Sequence, residues 1–252
     1  MSEEGRRLIQ RAHLDFLKAG SDVISTVTYQ CHYEKSVLDD DDSLGIVNET
    51  RMDAMLRDGV RLAREAVKEF QDAENDVHVS TLTSRRNTRQ CYVAASIGCY
   101  GASLADGSEY TGNYNGHLTS IINELCEFHR RKYYVLLGEM PDCIAFETIP
   151  CMDECSAILK MLKDSKCNEP SWSGDLKQRE VLAVSSPAVW ISFACQDGQH
   201  LNDGHLLTDA LDMIYSQDPE ANLVHAVGVN CCACMHGTYY VLHSRQYFRI
   251  SL

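Results

Sequence analysis

The stretch Ala226-Val-Gly-Val-Asn-Cys231 decides the fold class of this 252-residue chain. Its apolar and small residues predict a buried strand that ends at Asn230 and Cys231. A continuous apolar run of this kind is typical of a parallel strand covered on both faces. In parallel α/β folds, the groups that bind and react lie at the carboxyl ends of the strands. A cysteine thiolate at such an end could be a metal ligand or a nucleophile.

Apolar runs and amphipathic stretches alternate through the rest of the chain, which predicts strands alternating with helices. Predicted strands are residues 22–28, 92–97, 143–146, 189–193 and 224–229, and predicted helices are residues 8–17, 52–70, 118–136, 151–162 and 206–215. Two polar segments, residues 72–90 and 164–187, are predicted to be exposed insertions, and Asp39 to Asp42 to be a solvated loop. The alternation fits an open doubly wound sheet or an eight-stranded (β/α)8 barrel. The barrel is favoured because no Gly-x-Gly-x-x-Gly follows a predicted strand.

Composition narrows the class of protein. The net charge of −13 argues against nonspecific binding to nucleic acids or anionic membranes. No window approaches the roughly 18 consecutive apolar residues of a membrane span, and the first residues lack the apolar core of a signal peptide. Most of the 12 cysteines fall within predicted strands or helices, so we expect reduced thiols and a cytoplasmic location.

The predicted strand ends carry polar candidates for a functional site. Ser96, Glu147, Thr148, Asn230 and Cys231 all follow or end a predicted strand. Glu147 favours a functional role because a carboxylate is costly to bury unpaired, whereas Thr148 could simply cap a helix. The cluster formed by Cys231, Cys232 and Cys234 is a weak zinc signal, since zinc sites more often use Cys-x-x-Cys spacing.

Several motifs resemble one family. Residues 94–112, Ala-Ala-Ser-Ile-Gly-Cys-Tyr-Gly-Ala-Ser-Leu-Ala-Asp-Gly-Ser-Glu-Tyr-Thr-Gly, resemble the hallmark loop of homocysteine S-methyltransferases. Phe146-Glu-Thr-Ile-Pro150, the pair Asp197-Gly198 and Gly228-Val-Asn-Cys231 are similar to further family motifs, in the expected order. The resemblance extends over roughly residues 8–232.

The resemblance implies a zinc-dependent (β/α)8 barrel that transfers a methyl group from S-methylmethionine or S-adenosylmethionine to homocysteine, giving methionine. It implies that Cys231 is the first of three zinc-ligand cysteines. By the same resemblance, Glu147 matches the carboxylate near the amino group of homocysteine, and Asn230 is expected to lie beside the metal. These two residues are the expected catalytic groups, and together with Thr148 and Ser96 they are the expected substrate contacts.

The chain also departs from the family pattern. It has neither the Asp-Gly-Gly strand that opens the family fold nor the Gly-Gly-Cys-Cys-Arg motif that supplies two zinc ligands, for which Cys232 and Cys234 are weak surrogates. Five of eight strands are recognisable, so we expect an incomplete barrel domain over residues 1–232 and a divergent tail over residues 233–252. Tyr239, Val241 and Tyr247 could add a strand to the open edge. The alternative to a methyltransferase is an inactive, truncated form that acts at most as a binding partner.

Overall fold

The structure is a computed structural model that describes residues 2–33, 44–80, 89–167, 187–232, 238–243 and 246–251. Within those ranges, the side chains of residues 44–49, 75–80, 166–167 and 238–251 are not described. The Asp39–Asp42 run and Cys234 lie outside the described residues.

Helices and strands alternate as the sequence predicts. The helices are α1 (Glu3–Lys18), α2 (Leu44–Ser80), α3 (Tyr100–Leu104), α4 (Ile121–Leu137), α5 (Met152–Cys167) and α6 (Leu207–Gln217), with a 3-10 turn at Ser108–Tyr110. The strands are β1 (Val23–Ser25), β2 (Tyr92–Gly98), β3 (Cys143–Ile149), β4 (Ala188–Ala194), β5 (Ala226–Asn230), β6 (Thr238–His243) and β7 (Gln246–Ser251). Within the described ranges, no helix is long and apolar enough to cross a bilayer.

The strands lie in one sheet in chain order, from β1 to β7. Strands β1 to β5 are parallel, and each of β1 to β4 is followed by a helix before the next strand. Val23 pairs with Tyr92 between β1 and β2, and Trp190 pairs with Ala226 between β4 and β5. Parallel neighbours require such crossover helices because their ends lie at opposite edges of the sheet. The predicted α/β class with a parallel sheet is therefore confirmed.

The tail continues the sheet with the opposite strand direction. Strand β6 pairs antiparallel with β5, with Tyr240 opposite Val227, and β7 pairs antiparallel with β6. This confirms the expectation that the segment around Tyr239 and Val241 adds a strand. Antiparallel pairing needs only a short connection, which is why the tail can pair with β5 without a crossover helix.

Several predicted boundaries are wrong, among them the end of β1, which is predicted at residue 28 and lies at Ser25. Helix α2 extends to Ser80, well into the predicted insertion at 72–90, because residues 71–80 contain neither glycine nor proline to end it. Residues 164–167 are still helical, although they fall in the second predicted insertion, of which residues 168–186 lie outside the described part. Strand β3 runs to Ile149, so Glu147 and Thr148 lie inside the strand and Pro150 ends it.

The chain divides into two compact units. The first comprises residues 1–96 and 135–143, and the second comprises residues 97–134 and 144–252. In the first unit, the N-cap Ser2 accepts a hydrogen bond from Gly5 N–H, and α1 buries Leu14 and Leu17. Each unit has its own buried apolar residues, among them Leu56, Val60 and Ala63 on α2 in the first, and Ile158, Leu159 and Leu162 on α5 in the second.

A glycine in α2 allows a close approach in the first unit. A Cβ atom at Gly59 would lie 2.5 Å from Cγ2 of Thr28, which is almost fully buried and hydrogen-bonded through Oγ1 to the carbonyl of Ser96 at 2.6 Å. We expect Gly59→Ala to lower the free energy of unfolding by about 2 kcal/mol, as overpacking typically does. Chemical denaturation measures the change.

The second variant Thr28→Ser provides the control, because serine lacks the obstructing Cγ2 atom. The Gly59→Ala substitution should cost less in a Thr28→Ser background than in the unmodified chain, which a double-mutant cycle detects. Equal costs in both backgrounds would show that the close approach to Thr28 is not the cause.

Candidate functional site

One hydrogen bond joins two predicted site residues in the second unit. The amide Nδ2 of Asn230, the last residue of β5, donates to Oγ1 of Thr148 in β3 at 2.7 Å. Strand β4 lies between β3 and β5 in the sheet. The carboxyl ends of three adjacent strands therefore meet at one corner, defined here as Glu147, Thr148, Asn230 and Cys231 and called the β3–β5 corner.

The backbone of this corner is unusual. Thr148 has φ of 64° and Cys231 has φ of 52°, both in the left-handed region. Ala105, Met140 and Ala221 also have positive φ, but Thr148 is the β-branched residue of the set, for which this region is most costly. Such a conformation costs on the order of 1–3 kcal/mol and persists where surrounding contacts impose it. The hydrogen bond from Asn230 to the side chain of Thr148 is one such contact.

Asn230 presents an unused acceptor at the corner. Its Oδ1 atom is buried and has no hydrogen-bond partner among the described residues. Leaving a buried carbonyl oxygen unpaired costs about 1–3 kcal/mol. A ligand that donates a hydrogen bond, such as an ammonium group, would satisfy this atom.

The thiols near the corner differ in exposure. Cys231 is exposed, and its Sγ lies 3.6 Å from Nδ2 of Asn230, whereas Cys232 is half-buried. Cys195, just after β4, is buried, and burial raises its pKa to about 12, with smaller contributions from Cys232 and Asp197. Cys195 therefore stays a neutral thiol, and Cys231 is the accessible one.

These residues do not form a complete metal site. Among the residues that the structure describes, no group of three histidine, cysteine, aspartate or glutamate side chains is placed to hold a metal ion. Zinc takes three protein ligands in catalytic sites and four in structural ones. The sulfur atoms of Cys231 and Cys232 are too few, so the described residues do not fit zinc by themselves.

The loop that follows β2 contacts the loops after β3 and β4. Asn202 Nδ2 donates to the carbonyl of Glu109 at 3.0 Å, and a Cβ atom at Gly112 would lie 2.8 Å from the carbonyl oxygen of Pro150. Tyr110 on this loop is 68% exposed. Its pKa is raised first by the hydrogen bond and charge of Glu109 and further by Cys231. An aromatic side chain is thus exposed on the loop that contacts the residues after β3 and β4.

Sequence reasoning did not single out Tyr110 or Asn202. Sequence features that could have indicated them do exist. Tyr110 lies in the Gly-Ser-Glu-Tyr-Thr-Gly part of the hallmark loop, and Asn202 precedes Asp203-Gly204. Asp203 accepts the N–H of Met152 at 2.8 Å, which ties the loop after β4 to the start of α5.

Ser96 belongs to the first unit. Its N–H donates to Oγ1 of Thr26 at 3.0 Å, its carbonyl accepts from Thr28, and its own hydroxyl is buried with no hydrogen-bond partner in the described residues. Its role as a substrate contact stays a prediction.

Comparisons with known proteins agree with the motifs. A sequence model of the family "Homocysteine S-methyltransferase" matches residues 3–248. Homocysteine S-methyltransferase 1 of Zea mays is 35% identical over 225 residues, which are 89% of this chain and 58% of that protein. Homocysteine S-methyltransferase YbgG of Bacillus subtilis is 34% identical, over 92% of this chain and 61% of that protein.

A solved structure is similar as well. The metallated form of the homocysteine methyltransferase MmuM of Escherichia coli superimposes with a TM-score of 0.69 and 28% identity, over 93% of this chain and 66% of that one. The chain thus spans about three fifths of the length of the relatives it matches. The structural match confirms the predicted incomplete barrel of the (β/α)8 type. With the family model matching almost its whole length, this chain belongs to the homocysteine S-methyltransferase family.

Proposed function

We propose that this chain binds homocysteine at the β3–β5 corner and is part of a protein that transfers a methyl group to it. The observation that carries the proposal is the 2.7 Å hydrogen bond between Asn230 and Thr148, which brings the carboxyl ends of β3 and β5 together. The buried, unpaired Oδ1 of Asn230 supports it, because an amino acid ligand brings the missing donor.

Glu147, Thr148 and Asn230 each have a proposed role in binding homocysteine. The carboxylate of Glu147 pairs with the ammonium group of homocysteine, a charge-assisted contact that fixes one end of the ligand. Thr148 holds the amide of Asn230, so that Oδ1 stays directed at a ligand donor. Positioning of this kind is most of what a protein contributes to a two-substrate transfer.

The proposed reaction is a displacement at carbon. The sulfur of homocysteine forms a bond to the methyl carbon of a sulfonium donor, S-methylmethionine or S-adenosylmethionine. The bond from that carbon to the donor sulfur breaks, and its electron pair neutralises the sulfonium. The thiol proton of homocysteine passes to water, methionine is formed, and the demethylated donor leaves as a neutral thioether.

Zinc would help by deprotonating the homocysteine thiol, as bound metal ions do with coordinating thiols. Because the described residues do not fit zinc, we assign it no step here, and Cys231 stays the proposed ligand, with Cys232 and Cys234 as weaker candidates. We also propose a cytoplasmic location, because most of the cysteines whose side chains are described are buried in the fold, where they pack as small apolar residues.

A second candidate function is homocysteine binding without methyl transfer. The observation in its favour is that no three-ligand metal group exists among the described residues. Zinc content separates the candidates. Stoichiometric zinc that is lost in Cys231→Ala, together with methionine formed from homocysteine and S-methylmethionine, supports methyl transfer. Homocysteine binding with neither zinc nor turnover supports the second candidate.

The binding site itself is tested with Glu147→Gln. We expect homocysteine affinity, measured by calorimetry, to fall by about 10- to 100-fold, since a hydrogen bond to a charged group contributes about 1.5–3 kcal/mol. The exposed Glu220 provides a matched control, and Glu220→Gln should leave the affinity unchanged. Equal affinity in Glu147→Gln and the unmodified chain would contradict the proposed role of the corner.

A further inference from the structure

A fully buried carboxylate, Glu154, lies in the first turn of α5, four residues after Pro150. Its Oε1 accepts hydrogen bonds from Tyr100 N–H and from Nε2–H of His129, each at 2.7 Å. Its Oε2 accepts from the hydroxyl of Tyr114. A carboxylate is retained at full burial only when its oxygens are paired in this way.

All three donors come from the segment that follows β2. Tyr100 begins α3, Tyr114 lies beyond the 3-10 turn, and His129 lies on α4. The hydroxyl of Tyr114 also accepts the N–H of Gly101 at 3.2 Å, and the rings of Tyr100 and Tyr114 make an edge contact with 5.1 Å between centroids. A single side chain on α5 therefore fixes both ends of the loop formed by residues 99–114.

The protonation of the network follows from its burial. Burial lowers the pKa of His129, and the nearby charge of Lys132 lowers it further, against the opposing effect of Glu154. The imidazole is thus neutral and donates Nε2–H, while its Nδ1 has no partner among the described residues. Burial and the charge of Glu154 raise the pKa of Tyr114, so that its hydroxyl keeps the proton that it donates.

The buried cation next to this network is Lys132, whose Nζ lies 3.5 Å from the centroid of the Phe128 ring. Lys132 is only 1% exposed. Its positive charge acts on His129, whose pKa it lowers.

The middle of the same loop lies at the candidate site. Glu109 accepts a hydrogen bond from Asn202, and Gly112 lies against Pro150 and Cys151, directly after β3. An apolar residue at position 154 would be less costly to bury. Unlike an apolar side chain, a carboxylate accepts hydrogen bonds from both ends of the loop.

We propose that Glu154 is a positioning residue, which holds the loop of residues 99–114 so that Glu109 and Tyr110 lie beside the β3–β5 corner when homocysteine binds. This inference rests on the proposed function for its second half. Its first half, the anchoring of the loop, concerns the unliganded protein alone.

The test compares Glu154→Leu with Glu154→Gln by hydrogen–deuterium exchange of the unliganded full chain. Glutamine keeps the acceptor for Tyr100 and His129, and its NH₂ meets the Tyr114 hydroxyl, which can turn to accept. Leucine removes every acceptor. We expect exchange in residues 99–117 to rise by about 10-fold in Glu154→Leu and by less than about 3-fold in Glu154→Gln, since each hydrogen bond contributes about 0.5–1.5 kcal/mol.

Residues 187–232 provide the internal reference, and their exchange should not change. Unchanged exchange in residues 99–117 of Glu154→Leu overturns the anchoring. If exchange in Glu154→Leu rises throughout the chain, the variant Tyr114→Phe tests the anchoring of the loop instead. That variant removes one donor at nearly constant volume, and we expect a rise of about 3-fold or more confined to residues 99–117. A uniform rise in Tyr114→Phe overturns the inference.

Homocysteine affinity tests the second half. Calorimetry should give a dissociation constant that is about 5-fold or more higher in Glu154→Leu and near the original value in Glu154→Gln. In Glu154→Leu the loop must become ordered when homocysteine binds, and this ordering costs free energy. The original affinity in Glu154→Leu overturns the inference but leaves the proposed function intact. Absence of homocysteine binding in the unmodified chain contradicts the proposed function, while the exchange experiment still decides the anchoring.

Discussion

Replacing Gly101 with alanine is expected to lower the free energy of unfolding by about 3 kcal/mol, at the upper end of the usual cost of overpacking. A Cβ atom at Gly101 would lie 2.5 Å from the backbone nitrogen of Glu109 and 2.8 Å from the carbonyl carbon of Ser108. Both atoms belong to the backbone of the 3-10 turn, so the turn itself must move. Thermal or chemical denaturation measures the loss, and exchange at residues 99–117 locates it.

Gly107 is the matched control for this glycine. It lies in the same loop with φ of 89°, and a Cβ atom there would meet nothing within 4 Å. Gly107→Ala should therefore lower the free energy of unfolding by only about 1 kcal/mol, the cost of a left-handed backbone at a residue with a Cβ atom. If Gly101→Ala costs no more than Gly107→Ala, the close packing of Gly101 against the 3-10 turn is not what stabilises the loop.

Replacing Asp218 with alanine should be comparably destabilising. Asp218 follows α6 and is buried, and its two carboxylate oxygens accept the N–H groups of Asn222, Leu223 and Val224 at 2.8–2.9 Å. Without the carboxylate, three backbone donors just before β5 lose their acceptor. We expect a loss of about 3 kcal/mol, which is a fall of roughly 6–12 °C in Tm for a chain of this length.

The exposed Glu220, two residues further on, provides the control for charge. Glu220→Ala removes the same charge from the same loop and should change Tm by less than about 2 °C, as surface substitutions do. Because β5 ends in Asn230, the Asp218→Ala variant should also weaken homocysteine binding. An equal Tm for both variants would mean that the three N–H groups find other acceptors.

Much of the fold follows from local sequence. Apolar runs such as Tyr92–Ile97 are long enough to fill a buried parallel strand, and the stripes on α4 and α5 have the helical period, so strands and helices were predicted near their observed positions. The predicted end of β3 is too early because Glu147 and Thr148 are polar, although both lie within the strand. Pro150, which cannot donate to the sheet, is the residue that ends the strand.

Helix α2 shows the same kind of error, since its predicted end also comes too early. Its last turns carry many polar residues and were predicted to be an insertion, yet the helix continues to Ser80. Polarity shows that a segment need not be buried, but it does not end a helix, because glutamate, glutamine and alanine favour helical backbone. Only a glycine, a proline or a capping residue would have given the boundary.

The site could be predicted in part. The sequence predicts Thr148 and Asn230 as site candidates, and the structure places Thr148 inside β3 and adds the hydrogen bond between the two residues. The Glu154 network could not be predicted, because Tyr100, Tyr114 and His129 are separated from Glu154 by 25 to 54 residues and none of them forms a motif with it. A glutamate in the first turn of a helix is also a common capping feature, so its pattern indicates nothing unusual.

The sequence by itself determined the class of the fold, the family and the strand ends where a ligand is expected, because hydrophobic periodicity and short motifs are local properties of the chain. Only the tertiary structure decided which site residues meet, how the tail pairs with β5, and which groups donate hydrogen bonds to Glu154. Those outcomes depend on contacts between residues far apart in the chain, whose free energies exist only once the strands and helices have packed together.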